Sequence, residues 1–213
     1  MKDLSNYRKS YEKSELLENA IPKNPMDLFT KWFHEAEEIG GPEEINAMTI
    51  ATIGLDGFPK NRVVLLKQFT SEGFVFFTNY ESEKGKSVAE NPNVCLSFFW
   101  QNSERQVIIK GMIEKTSAKV SDDYFYSRPL GSQLGAIASH QSEVISGREV
   151  LENKITSLEN GLSAKEIIRP EYWGGYLVKP VEIEFWQGRE NRLHDRIRYK
   201  LLDKSWKIDR LSS

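Results

Sequence analysis

The chain has 213 residues, with 29 basic against 31 acidic side chains and a formal net charge of -2. So even a balance gives no electrostatic case for nucleic acid or an anionic membrane as partner. A mean hydropathy of -0.52 with no long apolar run excludes a transmembrane helix, and the first twenty residues lack the apolar core of a secretory signal. Cys95 is the single cysteine, so no intrachain disulfide forms. With only three histidines no metal-ligand spacing appears, and a cytoplasmic location is expected. The length suits one domain with a real core.

Residues 1–24 are polar and aperiodic, which predicts a flexible arm before a single domain over 25–213. Asn24-Pro25 then reads as an N-cap followed by proline at the first helical position. Leu28, Phe29, Trp32, Phe33, Ala36 and Ile39 repeat at helical spacing and Gly40-Gly41-Pro42 closes the helix. Strands are predicted over Ala47–Ile53, Arg62–Phe69, Phe74–Thr78, Val94–Trp100 and Gln106–Lys115, with a short helix at Glu83–Glu90. Cys95 falls in the fourth of these strands and reads as a buried core thiol rather than a nucleophile. Helices follow at Ser117–Tyr126, Ser132–Ser139 and Arg148–Glu159, the last stopped by Gly161. Strand character returns at Gly175–Lys179, Glu182–Gln187, Arg196–Leu202 and Trp206–Arg210. Five strands on short links before any long internal helix predict an antiparallel barrel with flanking helices, an α+β chain that is mainly β.

The densest chemistry lies in Trp186-Gln187-Gly188-Arg189-Glu190-Asn191-Arg192-Leu193-His194-Asp195-Arg196. Arginine forks grip phosphate or carboxylate, histidine changes charge near neutrality and tryptophan offers a flat face. Together they point to a small, flat, phosphorylated ligand; a solvated turn with clustered charge is the plain alternative. Tyr124, Arg128 and Ser132 fall at four-residue spacing, interrupted by Pro129. They suit a phosphate cup at a helix end, against a core tyrosine and a solvated arginine as the plain reading. Arg62-Val63-Val64-Leu65-Leu66-Lys67 reads by alternation as an ordinary strand with a cation at each end.

The order of these residues resembles the pyridoxine/pyridoxamine 5′-phosphate oxidases, FMN enzymes that make pyridoxal 5′-phosphate. The likeness runs from about residue 7 to the end. It rests on W-Q-x-x-x-x-R-L-H-D-R at Trp186–Arg196, R-x-V-L-L-K at Arg62–Lys67 and F-T-N-x-x-S at Phe77–Ser82. Y-F-x-S-R-P-x-x-S-Q at Tyr124–Gln133, S-x-Q-S at Ser139–Ser142 and W-G-G-Y at Trp173–Tyr176 complete it. The resemblance implies an FMN-binding split β-barrel assembled as a homodimer with FMN sites at its interface. The reaction it implies oxidises pyridoxine 5′-phosphate or pyridoxamine 5′-phosphate at C4′, with electrons passing to FMN and then to O2. By the same resemblance Arg62, Val63, Val64, Leu65, Leu66, Lys67, Phe77, Thr78, Lys84, Gln106, Gln141, Ser142, Trp186 and Arg196 hold FMN. Lys67, Tyr124, Arg128, Ser132, Arg192, Leu193 and His194 hold substrate, and Arg8 and Tyr11 close over it from the arm. Arg192 and His194 carry the catalytic roles. Trp173-Gly174-Gly175 reads as architectural, and His140 as structural. One position departs from the pattern: Glu83 stands where the family carries an arginine against the FMN phosphate, and pairing with Lys84 or Lys86 would relieve the repulsion. A flavin or pyridoxal phosphate carrier, or a split-barrel flavin reductase, are the competing readings.

Overall fold

The computed structural model describes residues 2–41, 44–161 and 167–213. Asn24 caps the first helix through its side-chain oxygen, which accepts the Met26 N–H at 3.0 Å, and Pro25 occupies the first turn. This helix, α1, covers Pro25–Ile39. Strands β1 (Ala47–Ile53), β2 (Pro59–Leu65), β3 (Gln68–Thr70) and β4 (Gly73–Asn79) lead to α2 (Glu83–Glu90), and β5 (Asn93–Trp100) and β6 (Arg105–Lys115) follow. Then come α3 (Ala118–Ser127), α4 (Leu130–Ala138), α5 (Glu149–Gly161), β7 (Trp173–Gln187), β8 (Asp195–Leu202) and β9 (Ser205–Leu211). The strand order is β2-β1-β5-β6-β7-β4-β3, with β8 pairing both β7 and β9. The expected fold class holds: a mostly antiparallel β half-barrel with flanking helices. Among the described residues no helix is long and apolar enough to cross a membrane.

The elements depart from expectation where tertiary partners change. The strand predicted over Arg62–Phe69 is two strands, because β2 pairs β1 whereas β3 pairs β4 with Gln68 opposite Val75. Conversely, the segments Gly175–Lys179 and Glu182–Gln187 form one strand, β7, running through Pro180. The registers explain why proline is tolerated. Residues 173–178 pair with β4 and residues 182–187 pair with β8, so Pro180 falls at the changeover, where an N–H is not needed on that edge. Helix α4 begins at Leu130, earlier than predicted, because Pro129 stands at its N-cap, and α5 runs through Gly161. Pro42, taken as part of the stop after α1, lies outside the described residues. Ile39 is exposed, unlike the rest of its predicted face. Cys95 is half-buried rather than a core thiol, since alternation along β5 turns Val94, Leu96, Phe98 and Trp100 inward and Cys95 the other way. Burial still pushes its thiol pKa up, against nucleophile character.

Two compact units share the chain: Met1–Ile50, Cys95–Gly111 and Pro180–Ser213 form the first, and Ala51–Val94 and Met112–Lys179 the second. In the first, the apolar face of α1 supplies the core. Phe29 packs edge-on to Phe98, Trp32 edge-on to Phe185, and Phe185 meets Tyr199. Full burial of each such side chain contributes about 1.5–3 kcal/mol. In the second unit Phe125, Leu134, Ile167 and Trp173 form a cluster that ties α3 and α4 to β7. Gly174 allows α3 to approach β7, because a Cβ there would stand 2.8 Å from Ser121 Oγ, and 2.2 Å from the Tyr80 hydroxyl.

Candidate active site

The second unit carries a cavity of about 890 Å³. Four parts of the chain build it. Strand β2 brings Arg62, Val63, Val64 and Leu65, with Lys67 just beyond, and β4 brings Phe77 and Thr78. Helix α2, capped by Ser82 Oγ, brings Lys84 in its first turn. The α3–α4 junction and the segment after α4 bring Tyr124, Arg128, Ser132, Gln141 and Ser142. Arg128 is extended (φ -77°, ψ 151°), as the residue before a proline must be, and that break carries the chain from α3 into α4. Pro129 therefore separates the helices without separating Tyr124, Arg128 and Ser132, which all face one cavity. Leu66, just past the end of β2, is the exception in this stretch: it is buried in the core and does not line the cavity.

Cations dominate the lining. Lys84 is buried, and its Nζ donates to Gln141 Oε1 (2.8 Å), Thr78 Oγ1 (3.0 Å) and Ser82 Oγ (3.3 Å), all neutral acceptors. Burial, with the nearby Arg62 guanidinium second and Glu83 opposing both, pushes its pKa down to about 8. The Arg62 pKa is also lowered by burial, and Arg62 Nη1 is held by Thr52 Oγ1 and by the Lys60 carbonyl. Arg128 lies over the Trp173 ring at 4.7 Å. Its Nη1 is buried with no hydrogen-bond partner among the described residues. A guanidinium nitrogen buried with an unused donor costs free energy until an acceptor arrives, and an anion suits that donor.

An aromatic stack forms another wall. Phe77 and Tyr124 stack with ring centroids 3.9 Å apart, and Trp173 lies nearly parallel to both. Trp173 was expected to be architectural; it also lines the cavity beneath Arg128. Lys60 and Glu83 line it too. The Glu83 carboxylate pairs with Lys60, at 2.5 and 2.6 Å, and not with Lys84 or Lys86.

The remaining predicted residues belong to the first unit. There the Trp186 ring lies 4.6 Å from His194 and 5.7 Å from Tyr11, which stands edge-on to it. Gly188 leaves room for the tyrosine, since a Cβ there would stand 2.8 Å from it. His194 Nδ1 accepts the Arg189 N–H at 3.1 Å, so the neutral ring carries its proton on Nε2. Burial and then Arg192 lower the His194 pKa, with Asp195 opposing, which favours the neutral ring. Arg192 sits in the left-handed region (φ 62°), and its carbonyl accepts the Ser213 hydroxyl at 2.5 Å. Its side chain and that of Leu193 are exposed. Arg196 is engaged by Glu184 (2.8 Å) and the Ser212 carbonyl, and Gln106 is half-buried on β6. Arg8 is exposed and bonded locally to the Ser5 carbonyl, away from Tyr11's aromatic contacts.

Lys84, Arg62, the hydroxyl donors of Thr78 and Ser142 and the side-chain amide N–H of Gln141 suit a phosphate monoester, and the apolar strand Val63–Leu65 suits a flat ring system beside it. The residues present therefore fit flavin mononucleotide. A split half-barrel with such a cavity defines the class of FMN-dependent oxidoreductases. Residues 35–160 match the family model of pyridoxamine 5′-phosphate oxidase, and residues 173–213 match the pyridoxine 5′-phosphate oxidase C-terminal dimerisation region. The chain belongs to the pyridoxamine 5′-phosphate oxidase family. It is 67% identical over 213 residues to the pyridoxine/pyridoxamine 5′-phosphate oxidase of Flavobacterium psychrophilum, with both chains fully covered. It is likewise 67% identical, over the full length of both, to that of Flavobacterium johnsoniae. The crystal structure of PhzG from Burkholderia lata 383 superposes with a TM-score of 0.86 at 27% identity, covering 94% of this chain and 100% of that one. An FMN-binding protein from Nostoc punctiforme shares the fold (TM-score 0.70, 14% identity, covering 94% of this chain and 100% of that one).

Proposed function

We propose that this protein oxidises pyridoxine 5′-phosphate or pyridoxamine 5′-phosphate at C4′ to pyridoxal 5′-phosphate. FMN, when bound, would supply the two-electron acceptor that O2 reoxidises to give H2O2; from pyridoxamine 5′-phosphate one water would be consumed and the amine would leave as ammonia. The observation that carries the reading is Arg128: a partly buried cation whose Nη1 is buried without a partner among the described residues, in the same cavity as a second cation set at Arg62 and Lys84. Two anion-binding ends suit a phosphorylated cofactor and a phosphorylated substrate together. Identity of 67% to named oxidases, against 27% to PhzG, supports the vitamin B6 phosphates as substrates.

In this reading Arg62, Thr78, Lys84, Gln141 and Ser142 hold the FMN phosphate end. The strand Val63–Leu65 would run along the ring, with Leu66 turned into the core, and Gln106, Trp186 and Arg196 would be further flavin ligands. Arg128, Tyr124, Ser132 and Lys67 grip the substrate phosphate, and binding at that remote group holds C4′ in place. Arg192 positions C4′ and offsets developing charge. His194, neutral with its proton on Nε2, donates a hydrogen bond that orients the ring; neither is assigned as an obligatory base. Tyr11 and Arg8 cover the substrate from the arm. The match at 173–213 supports a homodimer, and the single cysteine fits a reducing cytoplasm. Incubating purified protein with FMN and either phosphate under O2, while following pyridoxal 5′-phosphate and peroxide, tests the whole reading. Equimolar product and peroxide are expected. FMN retained without turnover would instead identify a carrier or a reductase.

A further inference from the structure

Lys60 lies two residues before Arg62 on β2, so strand alternation sets both side chains on one face. Its carbonyl accepts the Arg62 Nη1 at 2.8 Å, which ties this stretch of backbone to the cation beside it. Lys60 Nζ is engaged by Glu83, the one carboxylate among the described residues lining the cavity. The Glu83 N–H is donated to Ser142 Oγ at 3.2 Å, which anchors the residue at the start of α2. Glu83 is therefore the local counter-ion of a site otherwise lined by Lys60, Arg62, Lys67, Lys84 and Arg128. Both partners of the pair are about half exposed, 54% and 46%. Exposed pairs shift an equilibrium by only a few-fold, whereas an ammonium bonded to a phosphate dianion is worth roughly tenfold or more.

We propose that Lys60 is a further phosphate-binding residue of this cavity, held in reserve by Glu83 and transferred to the FMN phosphate when the cofactor binds. The inference rests on the FMN reading above. A lysine has the flexible four-carbon stem such an exchange requires, and an arginine fork fixed on a carboxylate would not serve as well. After the exchange Glu83 faces water, where salt screens its repulsion of the phosphate. The pair thus offsets part of the cavity's positive charge before FMN binds and keeps Lys60 available.

The test titrates apo-protein with FMN and with riboflavin, which lacks the phosphate, for wild type, Lys60→Ala, Glu83→Gln and the double variant, at low and high salt. At low salt Lys60→Ala should weaken FMN roughly tenfold and Glu83→Gln should tighten it roughly threefold. Within the Glu83→Gln background, where no ion pair has to be broken first, Lys60→Ala should weaken FMN by more than in wild type, roughly twenty- to thirtyfold, with smaller effects at high salt. Riboflavin affinity should be the same in all four proteins. No effect of Lys60→Ala once Glu83 is neutral would reduce Lys60 to a partner of Glu83 and overturn the inference, as would an equal loss for riboflavin. Pyridoxal 5′-phosphate affinity of the FMN-loaded protein should not change in Lys60→Ala; a loss there alone would move Lys60 to the substrate's phosphate and also overturn it. Wild type that binds neither flavin overturns the FMN reading itself, an outcome distinct from tight FMN binding indifferent to Lys60.

Discussion

Arg128 and Arg192 differ in setting, and their substitutions should differ in kind. Arg128 is partly buried over Trp173 with an unused donor, whereas Arg192 is exposed on a left-handed turn beside His194. Arg128→Ala removes a charge-assisted contact to a remote phosphate, about 1.5–3 kcal/mol, and should raise KM with a smaller change in kcat. Arg192→Ala should depress kcat more than KM; steady-state kinetics with the opposite split would reverse the two roles. Lys84 makes a second prediction. Its folded pKa of about 8 lies below the ordinary lysine value, so the empty site begins to lose this charge as pH rises through about 8. Phosphate binds the protonated form and raises that pKa. FMN affinity should therefore be level near neutrality and fall above pH 8, by up to about tenfold per pH unit. Lys84→Arg, which stays charged, should flatten the profile; a wild-type dissociation constant unchanged between pH 7 and 9.5 would exclude this coupling.

At the scale of elements, the N-terminal arm is the segment whose surroundings sequence alone does not disclose. Composition describes it as polar, yet it is fastened at two carboxylates. Glu104, 2% exposed and in the left-handed region at the β5–β6 turn, accepts the N–H groups of Glu12 (2.9 Å) and Lys13 (3.1 Å) on one oxygen. Asp195 accepts the Leu16 N–H at 3.0 Å, and Arg210 bonds both Asp195 and the Leu16 carbonyl. These bonds seat Tyr11 against Trp186 and His194. Glu104→Ala should release the first anchor at a cost of about 1–3 kcal/mol locally. Trypsin should then cut at Lys9 and Lys13 faster than in wild type, and KM should rise because Tyr11 is no longer held. Unchanged cleavage would mean that the Asp195 anchor alone holds the arm.

For the molecule as a whole, cofactor binding and stability are linked. Apo-protein with FMN at about a hundred times its dissociation constant gains about 2.7 kcal/mol. For a chain of this size that raises the melting temperature by roughly 5–10 °C. Riboflavin should give a smaller rise, because it leaves the cation cluster unneutralised. A melting temperature indifferent to both flavins would contradict the assigned cavity.

The amino-acid order by itself determined the local elements. The Asn24-Pro25 start of α1, the extent of β1 and of α2, and the break at Pro129 follow from caps, alternation and proline stereochemistry, which act within a few residues. It also determined which side chains to suspect: four-residue spacing singled out Tyr124, Arg128 and Ser132, the family resemblance added Arg62, Thr78 and Lys84, and all of them line one cavity. Tertiary structure alone decided the pairings over distance. Glu83 takes its cation from Lys60, 23 residues away, rather than from a neighbouring lysine. Trp173 becomes a wall because β4–β7 register sets it opposite Asn79. The strand through Pro180 tolerates proline because the partner on one edge changes there and no N–H is needed. Each of these depends on which strands share an edge, and that choice is made by burial summed over the core, where no local pattern records it.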